Sequence, residues 1–141
     1  MSDADAGMGD AVQAIVAAHG DLAAGLVDAV RCIIGRGDVF VALTNRDLTR
    51  EALEASIRHV VETTGVRVVF TDLPAGSWTM AARRVQREIP DLVVVTGASL
   101  PVLLDFACSG AGTPDAARHA AERGRQALLV CEPPAREQGP A

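Results

Sequence analysis

Three short stretches of this chain hold residues able to do group-transfer chemistry: His19-Gly20-Asp21, Asp72-Leu73-Pro74-Ala75-Gly76-Ser77 and Gly97-Ala98-Ser99-Leu100-Pro101. An imidazole is a nucleophile at one nitrogen only when the other holds the proton, and a carboxylate fixes that tautomer by accepting the N–H. Asp72 is placed to do this for His19. Gly76 allows close backbone approach, while Ser77 at a helix start offers a hydroxyl and unpaired backbone N–H groups to an anion. A nucleophilic histidine facing such an anion hole suits a phosphoryl group visiting the imidazole. Ser77, His19 and Asp72 are also the residue types of a hydrolase triad, but Ser77 lacks the G-x-S-x-G strand-to-helix elbow that exposes a nucleophile. A third possibility is a non-catalytic binding module built on the same fold.

These stretches meet only if the elements before them end on one rim. Short apolar runs alternate with helical patterns along most of the chain. Residues 12–18 (VQAIVAA) read as a first strand. Asp21 is the expected cap of a helix whose apolar face is Leu22, Leu26, Ala29, Val30 and Ile33. Residues 39–43 (VFVAL) form a second strand, and Thr49 caps a helix carrying Leu53, Ile57, Val60 and Val61 that closes at Gly65. Residues 66–71 (VRVVFT) and 92–96 (LVVVT) are the third and fourth strands, with a helix over 77–88 between them, Ser77 serving as its cap. Ser99-Leu100-Pro101 opens a short helix to about Ser109, and Thr113-Pro114 opens another that ends at Gly124. Residues 126–131 are a last, short strand.

Strands alternating with helices predict right-handed βαβ units and one α/β domain, a doubly wound, mostly parallel open sheet with helices on both faces. Ligands of such sheets bind beyond the carboxyl ends of the strands, near the point where strand order reverses. The domain is expected to span residues 12–131, with an acidic, Gly/Ala-rich N-terminal extension over 1–11 and a Pro-rich polar tail over 132–141, both flexible.

Composition narrows the chemistry further. Of 141 residues, 49% are apolar and 22% charged, which is too hydrophobic for a disordered chain; no apolar run reaches the roughly 18–20 residues of a membrane span. The net charge of −5 argues against binding a nucleic-acid backbone. All 13 basic residues are arginine and tyrosine is absent, which excludes a P-loop lysine, a Schiff-base lysine and tyrosine acid–base catalysis. The three cysteines, Cys32, Cys108 and Cys131, are widely spaced and form no C-x-x-C pair, so neither a zinc site nor a disulfide framework is supported. Residues 1–10 lack a basic segment followed by an apolar one and do not read as a signal peptide. A cytoplasmic domain with reduced thiols, no metal and no cofactor is the expectation.

The segment AIVAAHGDLAAGLVDAVRCIIG (14–35) resembles the opening of the enzyme IIA domain of the mannose family of the bacterial phosphoenolpyruvate:sugar phosphotransferase system. TDLPAGSWTMAARR (71–84) is similar to that family's Asp-x-x-Gly-Gly-Ser-Pro loop and following helix, and TGASLPVLLDF (96–106) to its Gly-Val-Asn-Leu-Pro-Met-Leu stretch. The three matches share the family's order and spacing and cover roughly residues 12–131.

The resemblance implies that His19 accepts a phosphoryl group on Nε2 from the phosphocarrier protein HPr and passes it to an enzyme IIB partner. It implies that Asp72 orients the imidazole, that Gly76 and Ser77 contact the phosphoryl group, and that the last strand is exchanged in a homodimer. No fused IIB domain follows, so a separate IIB protein is expected. The carrier would serve sugar uptake or its regulation, or act as the phosphoryl-transfer subunit of a dihydroxyacetone kinase. Three positions depart from the pattern: Ala75 replaces the first glycine of the loop, Trp78 replaces the proline after the serine, and Ser99 replaces an asparagine. Trp78, Ser99 and Leu100 are the expected partner-docking residues. His59 and His119 fall among polar helical positions and read as solvated, as does the basic stretch Arg83, Arg84, Arg87. Cys32 and Cys108 read as small core residues.

Overall fold

Alternation with a period of two puts Ala14, Val16 and Ala18 on one side of the first strand and Ile15 and Ala17 on the other, and all five are buried. A strand buried on both sides belongs in the middle of a sheet. The computed structural model, which describes residues 12–136, puts it there. In chain order the elements are β1 (Ala14–Ala18), α1 (Leu22–Ile34), a 3₁₀ turn (Gly37–Val39), β2 (Phe40–Thr44), α2 (Arg50–Thr64), β3 (Val68–Thr71), α3 (Ser77–Glu88), β4 (Val93–Val95), α4 (Leu100–Ser109) and α5 (Pro114–Ala127).

All strand pairs are parallel and the sheet order is β2-β1-β3-β4. The chain leaves β1 outward to β2, then crosses back over β1 to β3. The direction of winding therefore reverses between β1 and β3, which opens a crevice beyond their carboxyl ends. His19 follows β1, and Asp72 follows β3.

Each face of the sheet has its own core. On one, Ala14, Val16, Val68 and Phe70 pack with Ala23 and Val30 of α1 and with Val102, Leu103 and Phe106 of α4. The chain's three phenylalanines meet there, with Phe70 and Phe106 edge to face at 5.1 Å between ring centroids. On the other face, Ile15, Ala17 and Val69 pack with Leu53, Ile57, Val60 and Val61 of α2 and with Trp78, Ala81, Ala82 and Val85 of α3. Burying each of these large side chains stabilises the fold by roughly 1.5–3 kcal/mol.

The cap residues act largely as their types predict. Thr49 and Thr113 each accept a hydrogen bond from the backbone N–H three residues on, at 3.1 Å. Gly35 and Gly65 end α1 and α2 in the left-handed conformation. Asp21 stands at the N-cap of α1 as expected, but its φ/ψ of −94°/11° is not extended, its carboxylate makes no cap bond, and it pairs with Arg46 Nη2 at 2.9 Å instead. The apolar face of α1 is also rotated from the expected one. Ala23 and Val30 are buried and Leu26, Val27 and Ile34 pack beside them, while Leu22 and Ile33 are exposed. Cys32 and Cys108, expected in the core, are both exposed.

The last two elements also differ from expectation. α5 runs through Gly124 to Ala127, because Gly124 lies against Val102 of α4 so closely that a Cβ would clash. Gln126 and Ala127 are thus helical, and residues 128–131 form no strand with the described residues. A strand needs a paired neighbour, and among the described residues this segment has none; Leu128, Leu129 and Val130 stand exposed. The expected 1–11 extension and the tail from residue 137 lie outside the described residues.

Candidate functional site

The crevice between β1 and β3 brings His19, Asp72 and Ser77 together. Asp72 Oδ2 accepts two hydrogen bonds from one residue, from the His19 backbone N–H at 2.9 Å and from His19 Nδ1 at 2.7 Å. The carboxylate side chain is 8% exposed, whereas the imidazole is 47% exposed. A buried carboxylate therefore holds an accessible ring by both its backbone and its Nδ1. Burial pushes the Asp72 carboxyl up, but the hydrogen bonds from the His19 backbone and ring, with attraction to the imidazole, outweigh it and keep the carboxyl below its ordinary value. With Nδ1–H given to Asp72, Nε2 keeps its lone pair.

Nε2 faces the start of α3. Ser77 Oγ lies 3.4 Å away. The first intrahelical bond is Met80 N–H to the Gly76 carbonyl, so the N–H groups before it have no helical partner. Gly76, not Ser77, is the N-cap, with φ −84° and ψ 175°; Ser77 is the first helical residue. Since that φ suits any residue, the need for glycine is one of space. A Cβ on Gly76 would stand 3.3 Å from both His19 Cε1 and Leu73 Cβ. Gly20, with φ +58°, turns the chain sharply after the histidine.

Buried threonines brace the loop between β3 and α3. Thr79 donates to the Leu73 carbonyl and shares a 2.6 Å hydrogen bond with Thr71 Oγ1. Ala75 is not in the left-handed region, where Asp47 is the sole non-glycine among the described residues. Alanine is therefore unstrained where the resemblance offers glycine.

One expected docking residue, Trp78, is relocated, and another, Ser99, lies apart from His19. Trp78 is fully buried in the core below α3, which corrects its expected place on the docking rim. It continues the face Ala81, Ala82, Val85 and Ile89, where two alanines leave room for the indole. Its Nε1 has no partner among the described residues. Ser99 does not join His19 either: it lines a groove of about 750 Å³ along the free edge of β4, with its Oγ turned toward Gly124 of α5. Leu100 is half-buried against the α4 core.

The residues after β2 are not among the sequence-predicted site residues, yet they join the site. Thr44 Oγ1 donates to the Gly20 carbonyl at 2.6 Å, Asn45 Nδ2 to Ser77 Oγ at 2.9 Å, and Arg46 pairs with Asp21. The carboxyl-end rule applied to β2 finds them. Among the described residues no group of three or more His, Cys, Asp or Glu side chains could hold a metal ion, and no helix is long and apolar enough to cross a membrane.

The family model described as "PTS system fructose IIA component", EIIA-man, matches residues 13–119. The chain belongs to this family. As an EIIA-man member it is a phosphotransfer component of the sugar phosphotransferase system. Solved structures share the fold. The mannose/sorbose specific IIA subunit of the phosphotransferase system from Enterococcus faecalis is 23% identical, with a TM-score of 0.74 over 88% of this chain and 97% of that one. The phosphotransferase system component EIIA from Streptococcus agalactiae is 16% identical, with a TM-score of 0.73 over 84% and 96%. No curated protein matches the chain.

Proposed function

We propose that this EIIA-man domain is a phosphoryl carrier whose acceptor atom is His19 Nε2. The observation that carries the reading is the 2.7 Å bond from Nδ1 to a buried carboxylate, which leaves an exposed Nε2 facing the start of α3. The Nε2 lone pair attacks the phosphorus of phospho-HPr as the donor's P–N bond breaks and its electron pair returns to the donor imidazole. The proton stays on Nδ1, and the positive charge that develops on the ring is met by the Asp72 carboxylate. Backbone N–H groups at the start of α3 and the Ser77 hydroxyl receive the phosphoryl oxygens, while Gly76 keeps that backbone close. The reverse sequence hands the group to a separate enzyme IIB. The domain works in the cytoplasm, in sugar uptake or its regulation, with no metal or cofactor.

Ser77 Oγ beside Nε2 also has the outline of a hydrolase triad. Asn45 already donates to that oxygen, and the serine opens a helix without the strained elbow that presents a nucleophile. Labelling of Ser77 by an active-site serine reagent would revive the hydrolase.

The carrier acts as a homodimer in this reading. Among the described residues β4 has a free edge beside the groove, and residues 128–131 offer an exposed apolar segment to a second copy. A monomer by sedimentation at micromolar concentration would remove the dimer and leave the carrier. The carrier itself is tested by intact mass after incubation with phosphoenolpyruvate, enzyme I and HPr. One acid-labile phosphoryl adduct is expected, and it is lost in His19→Ala. No adduct beside a phosphorylated HPr would overturn the assignment.

A further inference from the structure

The geometry points to Asn45 as a positioning residue that aims the Ser77 hydroxyl at the phosphoryl site, an inference that rests on the carrier reading. The polarity of the chain Asp72–His19–Ser77–Asn45 is set from one end. The Asp72 carboxylate can only accept, so His19 Nδ1 donates and Nε2 is left as an acceptor. A hydroxyl facing that acceptor turns its single proton toward it, and Ser77 Oγ stands 3.4 Å from Nε2. Its oxygen then has lone pairs to offer, and Asn45 Nδ2 donates to it at 2.9 Å. The amide thus occupies the oxygen side of the hydroxyl and keeps the O–H directed into the crevice.

Asn45 is itself held in place. It sits one residue past β2, whose register with β1 ends at the Ala18–Thr44 pair beside His19. On either side of it, Thr44 Oγ1 bonds the Gly20 carbonyl and Arg46 pairs with Asp21. The β2–α2 loop is therefore tied twice to the loop that carries His19, and Asn45 joins both to the start of α3. When a phosphoryl group occupies Nε2, the Ser77 proton meets one of its oxygens with no search over hydroxyl rotamers.

A double-mutant cycle on the full chain tests this, with the rate of phosphoryl uptake from phospho-HPr as readout. Asn45→Ala is expected to lower kcat about fivefold at unchanged KM. Asn45→Asp, isosteric but an acceptor that draws the Ser77 proton away, should lower it at least about tenfold. In a Ser77→Ala background Asn45→Ala should change the rate by less than about twofold. Equal losses with and without Ser77, or wild-type kcat in Asn45→Asp, would overturn the role of Asn45. If wild type itself takes up no phosphoryl group, the carrier reading fails. The orientation is then read from the ¹⁵N resonance of His19 Nε2: a shift in Asn45→Asp that is absent in the Ser77→Ala background supports it, and an unmoved resonance overturns it.

Discussion

Two histidine–aspartate pairs occur among the described residues, and their bonds are almost the same. His19 Nδ1 lies 2.7 Å from Asp72 Oδ2, and His119 Nδ1 lies 2.8 Å from Asp105 Oδ2. Their surroundings differ at every other point. Asp72 is nearly buried and also bonds the His19 backbone, whereas Asp105 is 23% exposed and faces Arg123 at 3.8 Å through its other oxygen. His19 follows a central strand at the point where sheet winding reverses, with Ser77 and the start of α3 opposite Nε2. His119 lies within α5, where the backbone N–H groups are engaged along the helix. A dyad fixes a tautomer; the groups facing the other nitrogen decide what the imidazole can hold.

The sharpest break in the comparison is deletion of each imidazole. His19→Ala should abolish the phosphoryl adduct in intact mass, and His119→Ala should leave its stoichiometry unchanged. The fold should survive the first change, because the residue 19 backbone N–H still bonds Asp72. Replacing the carboxylates comes next. Asp72→Asn removes the charge opposite the imidazole and should slow phosphoryl uptake on the order of 10²-fold, while Asp105→Asn should stay within about twofold in the same quench-flow measurement.

Gly76→Ala probes the approach of α3 to the ring. The added Cβ would sit 3.3 Å from His19 Cε1, so the ring or the loop must yield by a few tenths of an ångström. Uptake should fall about fivefold and urea stability by about 1 kcal/mol. The smallest effect is on pH. Because the folded Asp72 carboxyl lies below its ordinary value of 3.8, its stabilising contribution is complete above that pH and is lost as pH falls through the lower folded value. The difference in urea midpoint between wild type and Asp72→Asn should hold constant near neutrality and narrow below about pH 3.8. A difference that widens in acid would place the carboxyl on the other side of its ordinary value.

Much of this architecture is legible in the chain because its signals are local. The alternation in 14–18, the caps Thr49 and Thr113 and the glycines after α1 and α2 each act over a few residues. The pairing of His19 with Asp72 was legible because strand ends converge by rule: the two lie 53 positions apart yet bond directly. Two features were within reach: Trp78, which was misplaced, and Asn45, which was passed over. Trp78 occupies the i position of an i, i+3, i+4, i+7 face with Ala81, Ala82 and Val85, which assigns it to the core. Asn45 follows a strand just as His19 does. The rotation of the α1 face and the fate of residues 128–131 depend instead on neighbours that no local pattern specifies.

The burial of Trp78 has a spectroscopic consequence. The chain contains one tryptophan and no tyrosine, so its near-ultraviolet emission comes from a single indole, next in sequence to the hydroxyl that faces Nε2. Sealed from water between two alanines and the sheet, that fluorophore should emit toward the blue, and any shift of the first turn of α3 would reach it through one peptide bond. The protein thus holds a native optical probe one residue from the crevice beside His19, and its emission should follow occupancy of that crevice in real time without a label.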